Sequence, residues 1–173
     1  EASIAKVRAE LGPILVLVNN AATEGWCKFE ELTDAIWDKT FDVNLKGAFI
    51  VTQNVVPDME KAQWGRIINI SALGGQMGGV FDMIHYNSSK GGMITFTHSL
   101  AIGLGVKGIT ANTVSPGFID TPMARRAIET SAFPVDYKDI LATYPIPRLG
   151  TADDIATAVA FFASNEAGYI TNQ

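Results

Sequence analysis

Cys27 is the lone cysteine in 173 residues. That excludes an internal disulfide and a cysteine-built zinc site. His85 and His98 are the two histidines, and neither has an acidic partner at ligand spacing, so no metal site is expected. Basic runs are missing and the net charge is −5, which argues against nucleic acid and anionic membrane surfaces as partners. Apolar runs such as Ile14 to Val18 are far too short to span a bilayer. No secretory signal, repeat, low-complexity tract or linker is visible. These absences point to a reducing, cytoplasmic setting. What remains is a chain with 47% hydrophobic and 18% charged residues, a globular composition long enough for one domain with a real core.

Patterning predicts the elements. Residues 1–11 read as a helix stopped by Gly12-Pro13. Ile14 to Val18 is a continuous apolar run, as expected for a strand covered on both faces. Thr33 is placed to cap a helix over 34–43, with Asn44 near its end and a second helical stretch continuing to Glu60. Gly65 to Ser71 reads as a second buried strand, followed by a loop with Gly74, Gly75, Gly78 and Gly79. A long helix is expected from Tyr86 to Leu104, a third strand from Gly108 to Ser115, and an irregular segment from Phe118 to Leu149. A last helix starts near Thr151, with Asp153 and Asp154 favouring its dipole. Strands alternating with helices predict an α/β domain with a parallel sheet. Three strands are few for such a sheet and both ends look abrupt, so the chain reads as a fragment of a larger domain.

Tyr86 and Lys90, in His85-Tyr86-Asn87-Ser88-Ser89-Lys90-Gly91, carry the chemistry. A spacing of four puts both on one helical face. A phenol with an ordinary pKa of about 10 needs roughly 4 kcal/mol of differential stabilisation to ionise near neutrality. An adjacent ammonium favours the phenolate. Taken alone, the pair is also compatible with an ordinary amphipathic helix.

Read in order, the motifs resemble the classical branch of the short-chain dehydrogenase/reductase family. Asn19-Asn20-Ala21-Ala22 resembles its Asn-Asn-Ala-Gly turn, Asp42-Val43-Asn44 its helix motif, and Gly65 to Ser71 its fifth strand. Tyr86-x-x-x-Lys90 resembles its catalytic signature, and Ser115-Pro116-Gly117-Phe118-Ile119-Asp120-Thr121 its nicotinamide-side loop. Pro147 to Gly150 and Tyr169 to Thr171 resemble the regions around its last helix.

The resemblance implies a Rossmann-like doubly wound parallel sheet, incomplete here. Residues 1–173 would form the C-terminal part of one NAD(P)-binding domain. The first three strands, the Gly-rich cofactor turn and the last strand would be absent, together with the residue that chooses between NAD and NADP. It implies hydride transfer between NAD or NADP and a ketone or secondary alcohol, in a homotetramer or homodimer assembled through helices near 45–60 and 86–104. It gives Tyr86 the proton donor and acceptor role. Lys90 would lower the tyrosine pKa and bind the nicotinamide ribose, and Asn44 would hold a relay water. Asn20 and Ala21 would lie along the cofactor, and Pro116, Gly117, Ile119 and Thr121 would hold the nicotinamide.

One departure matters. The family's substrate-binding serine falls, without gaps, on Ala72, while Ser71 precedes it and points the other way if the strand continues. A one-residue slip would bring Ser71 in, so Ser71 stands as the candidate beside a vacant position. Trp26, Met83, Ile84 and Met123 are candidates for an apolar substrate pocket, His85 for its wall, and 118–149 for a segment closing over it. Two other functions fit the same residues: a binding or regulatory protein with weakened catalysis, and a dehydratase or epimerase. The missing strands predict an unpaired edge beside Ile14–Val18 and poor stability for the isolated piece.

Overall fold

The computed structural model describes residues 2–23, 26–79, 81–122, 124–125, 137–142 and 144–173. Its sheet runs β1 (Val16–Asn19), β2 (Gly65–Ile70), β3 (Ile109–Val114), in that spatial order and all parallel. Register is set by Leu17 opposite Ile67 and Ile67 opposite Ala111. Helix α1 (Ala2–Leu11) precedes β1. Helices α2 (Asp34–Phe41) and α3 (Gly47–Ala62) join β1 to β2. Helices α4 (Leu73–Met77) and α5 (Ile84–Leu104) join β2 to β3. Helices α6 (Tyr137–Ala142) and α7 (Ala152–Ala163) follow β3.

Local chemistry explains the boundaries. Thr33 caps α2 by accepting the Ile36 N–H, and Thr151 and Asp154 form a reciprocal capping box on α7. Gly108 adopts φ +75°, and a Cβ there would lie 2.3 Å from the Gln63 carbonyl oxygen. The tight approach of the α3 and α5 ends therefore needs glycine. In place of two helices meeting near Asn44, helical backbone runs on from α2 to α3 through a π turn, Asp42–Lys46, whose register is shown by Gly47 N–H reaching back to Asp42 O. Such one-turn π insertions recur at functional sites. The segment expected to be irregular contains α6, and its base is tied by a parallel bridge between Ile119 and Gly150.

The two faces of the sheet differ. Val55 and Met59 of α3 and Ala101 of α5 pack with Ile67, Ile109 and Ala111, and Ile4 of α1 and Leu17 join the cluster. The opposite face meets α7 and the chain after it: Arg66 Nε donates to Ser164 O (3.0 Å) and Asn112 Nδ2 to Ile170 O (2.8 Å). This second cover stops short of β1, where Val16 and Val18 are 40% and 41% exposed. The described residues cover β1 on one face, and among them β1 pairs with β2 alone. Among those residues no helix is long and apolar enough to cross a membrane.

Candidate functional site

Asn19 pairs with Asn69 and Asn69 with Thr113, so the carboxyl ends of the strands open along one edge. Asn20 and Ala21 follow β1 and are exposed, Ser71 follows β2, and Pro116, Gly117, Ile119 and Thr121 follow β3. The outside of the carboxyl ends is where open α/β sheets bind ligands. Leu73 N–H donates to Pro116 O (2.8 Å), joining the β2 and β3 exits. Thr121 Oγ1 accepts the Ala124 N–H, and Gly150 exchanges hydrogen bonds with Phe118 and Asp120, which fixes the base of the loop after β3.

A buried polar chain holds this edge rigid. Asn19 Nδ2 donates to Asn69 Oδ1 (2.8 Å) and Thr52 Oγ1 (3.2 Å), and Asn69 Nδ2 donates to Thr97 Oγ1 (2.8 Å). Satisfied networks of this kind specify one arrangement, because each buried group loses its partner if an element shifts.

Helix α5 brings its first turns to the same edge. Lys90 is 2% exposed and Tyr86 half-buried. Lys90 Nζ lies 5.7 Å from the Tyr86 ring centroid and donates to Ile70 O (2.7 Å). Burial pushes the Tyr86 phenol up from 10.0 and brings the Lys90 ammonium down to about 8. Desolvation disfavours the charged form of each group. An ammonium has three donors, and one described bond uses one of them. The other two suit a pair of ribose hydroxyls, so the residues present fit a nicotinamide cofactor.

The π turn seats Asn44, which is fully buried. Its Oδ1 accepts the Thr23 N–H (2.8 Å) and its Nδ2 donates to Ser89 Oγ (3.0 Å). Asn44 is thereby tied to the helix that bears Tyr86 and Lys90.

Ser71 meets the same helix from the end of β2. Its Oγ donates to Lys90 O (2.7 Å) and the residue is 3% exposed. Gly75 closes over the pair, where a Cβ would sit 2.9 Å from Ser71 Oγ and 2.7 Å from Lys90 C. The hydroxyl hydrogen is thus given to the helix backbone. Ala72, the next residue, is extended and partly exposed as the N-cap of α4.

Cys27 N–H donates to Asp82 O (2.9 Å), which brings Trp26 and Cys27 beside the turn carrying Met83 and Ile84. Met123 lies outside the described residues. His85 is fully buried, and neither ring nitrogen has a partner among the described residues. Burial holds its pKa below 6.5. It shares the i, i+4 stripe of Ser89, Met93, Thr97 and Ala101, all buried, so it belongs to the interior side of α5. Sequence reasoning missed Ser89 and the π turn. The repeat of buried positions every fourth residue was the available signal for Ser89.

A parallel sheet flanked by helices and open at its carboxyl edge places the chain in the Rossmann-like α/β class. The family model described as enoyl-(acyl carrier protein) reductase matches residues 1–173. The chain is 41% identical over 167 residues to an acetoacetyl-CoA reductase of Cupriavidus necator, covering 96% of this chain and 65% of that protein. It is 39% identical over 173 residues to the 3-oxoacyl-(acyl-carrier-protein) reductase of Escherichia coli, covering 100% of this chain and 68% of that one. The crystal structure of a candidate gluconate dehydrogenase from Agrobacterium tumefaciens superposes with a TM-score of 0.92 at 26% identity, over 99% of this chain and 66% of that one. The chain spans about two thirds of the length of these relatives. It belongs to the short-chain dehydrogenase/reductase family.

Proposed function

We propose that this chain carries the catalytic part of an NAD- or NADP-dependent oxidoreductase that interconverts a carbonyl and a secondary alcohol. The convergence of Tyr86, Lys90 and Asn44 at the carboxyl edge supports this reading most directly. A bound nicotinamide would supply or accept the hydride. Tyr86 would give its proton to the oxygen as negative charge develops there, and take it back in the reverse direction. Lys90 would hold the ribose hydroxyls with its remaining donors, and its charge would assist the phenolate. Asn44 would hold the relay water that returns the proton. Asn20 and Ala21 would lie along the cofactor ribose, and Pro116, Gly117, Ile119 and Thr121 would hold the nicotinamide.

The protein works as a cytoplasmic homotetramer or homodimer. Phe49 and Ile50 of α3 are 46% and 43% exposed, beside a hollow of about 350 Å³ lined by Phe41, Leu45 and Phe96. This is an apolar surface on the helices expected at the interface.

A second reading, a cofactor-binding protein with weak catalysis, is favoured by the commitment of Ser71 to Lys90 O and by Ala72 in the adjacent position. Losing one oxyanion donor costs about 10²–10³ in rate. Absorbance of NADH and NADPH with 3-oxoacyl thioesters, sugar acids and simple ketones, for the complete protein and Ala72→Ser, separates the two readings. Turnover supports the oxidoreductase. A large gain in Ala72→Ser places the missing donor at 72. Cofactor binding without turnover in either protein supports the binding reading.

A further inference from the structure

We infer that Ser89 is a positioning residue that fixes the Asn44 side chain against the helix bearing Tyr86 and Lys90; this rests on the reductase reading above. Ser89 is fully buried and lies beside Lys90 in the chain, one turn after Tyr86. Its hydroxyl donates to Tyr86 O (2.7 Å), which leaves only its lone pairs for other groups. Asn44 Nδ2 approaches at 3.0 Å and donates to it. On the other side Asn44 Oδ1 accepts the Thr23 N–H at 2.8 Å.

These three bonds decide the amide's orientation. A flipped Asn44 would set its NH₂ against the Thr23 N–H, donor against donor. Its carbonyl would then face a serine oxygen whose hydrogen is already on Tyr86 O. The observed orientation satisfies all three contacts. It leaves Asn44 one N–H and one carbonyl lone pair for a further polar group, such as a relay water. Asn44 stands on the π turn and Ser89 on α5, so the bond spans the two elements that deliver the cluster. Without the serine hydroxyl, the buried amide nitrogen has no described acceptor, and the side chain is free to rotate away.

The test is a double-mutant cycle in kcat on the complete protein. Ser89→Ala is expected to lower kcat by about 10–100-fold, since misplacement of a reacting group by about 1 Å costs up to about 10²-fold. Its cofactor Kd should stay within about threefold. In an Asn44→Ala background the same change should cost less than about twofold, because Ser89 acts through Asn44. An unchanged kcat, or the full loss repeated in the Asn44→Ala background, overturns the inference. If Ser89→Ala does not fold, Ser89→Cys carries the same comparison, because it keeps the shape and weakens the acceptor. If the wild-type protein turns over no carbonyl probe, the reductase reading fails separately. The positioning claim is then read from hydrogen exchange at the Thr23 amide: faster exchange in Ser89→Ala supports it, and an unchanged rate overturns it.

Discussion

The two faces of the sheet are built from the same strands yet do different work. Under α1, α3 and α5, apolar packing at Ile67, Ile109 and Ala111 is topped, at the carboxyl end, by the Asn19–Asn69–Thr97 chain and then by Asn44, Ser89 and Lys90. Each step toward the edge replaces an apolar contact with a satisfied polar one. The other face has α7 and the final residues as cover, and leaves Val16 and Val18 about 40% exposed. Site geometry hangs on the closed face, so perturbations there should reach chemistry and stability together. Perturbations at α7, away from that edge, should spare the chemistry.

Asn44→Ala breaks the comparison most severely. It removes the amide linking Thr23 to Ser89, and kcat is expected to fall by about 10²-fold with cofactor Kd nearly unchanged. Steady-state kinetics paired with cofactor titration checks this. Next, Ile67→Ala deletes a branched side chain that is 1% exposed on the closed face, so chemical denaturation should show a loss of about 2–5 kcal/mol; a loss within about 1 kcal/mol would contradict that packing.

A smaller effect should come from His85. Its folded pKa lies below 6.5, its unfolded value, through burial. As pH falls, the unfolded chain takes up this proton first, so stability is full above about pH 6.5 and declines below it. His85→Leu should flatten that decline, seen as a smaller drop in Tm between pH 7 and 5. Thr151→Ala, which removes the α7 cap far from the edge, should cost about 1 kcal/mol and leave kcat unchanged.

Much of this was legible in the chain. Tyr86 and Lys90 stood out by type and spacing, Asn44 through the family resemblance, and the three strands by apolar runs between glycine and proline signals, each within two residues of its observed ends. Three features were not. The π turn depends on hydrogen-bond register, which side-chain periodicity does not report. Ser71 and Ala72 differ by one residue, and the side each faces depends on where the strand ends, which Gly75 packing on Lys90 decides. The burial that pushes the Tyr86 phenol up likewise appears only once α5 is docked.

The most direct test of the account is turnover by Tyr86→Phe in the complete protein, measured by reduced-nicotinamide absorbance beside a cofactor titration. A loss of kcat by about 10²–10⁴-fold with cofactor Kd within about threefold is the result predicted for a proton-donating tyrosine. Wild-type turnover in Tyr86→Phe would contradict it.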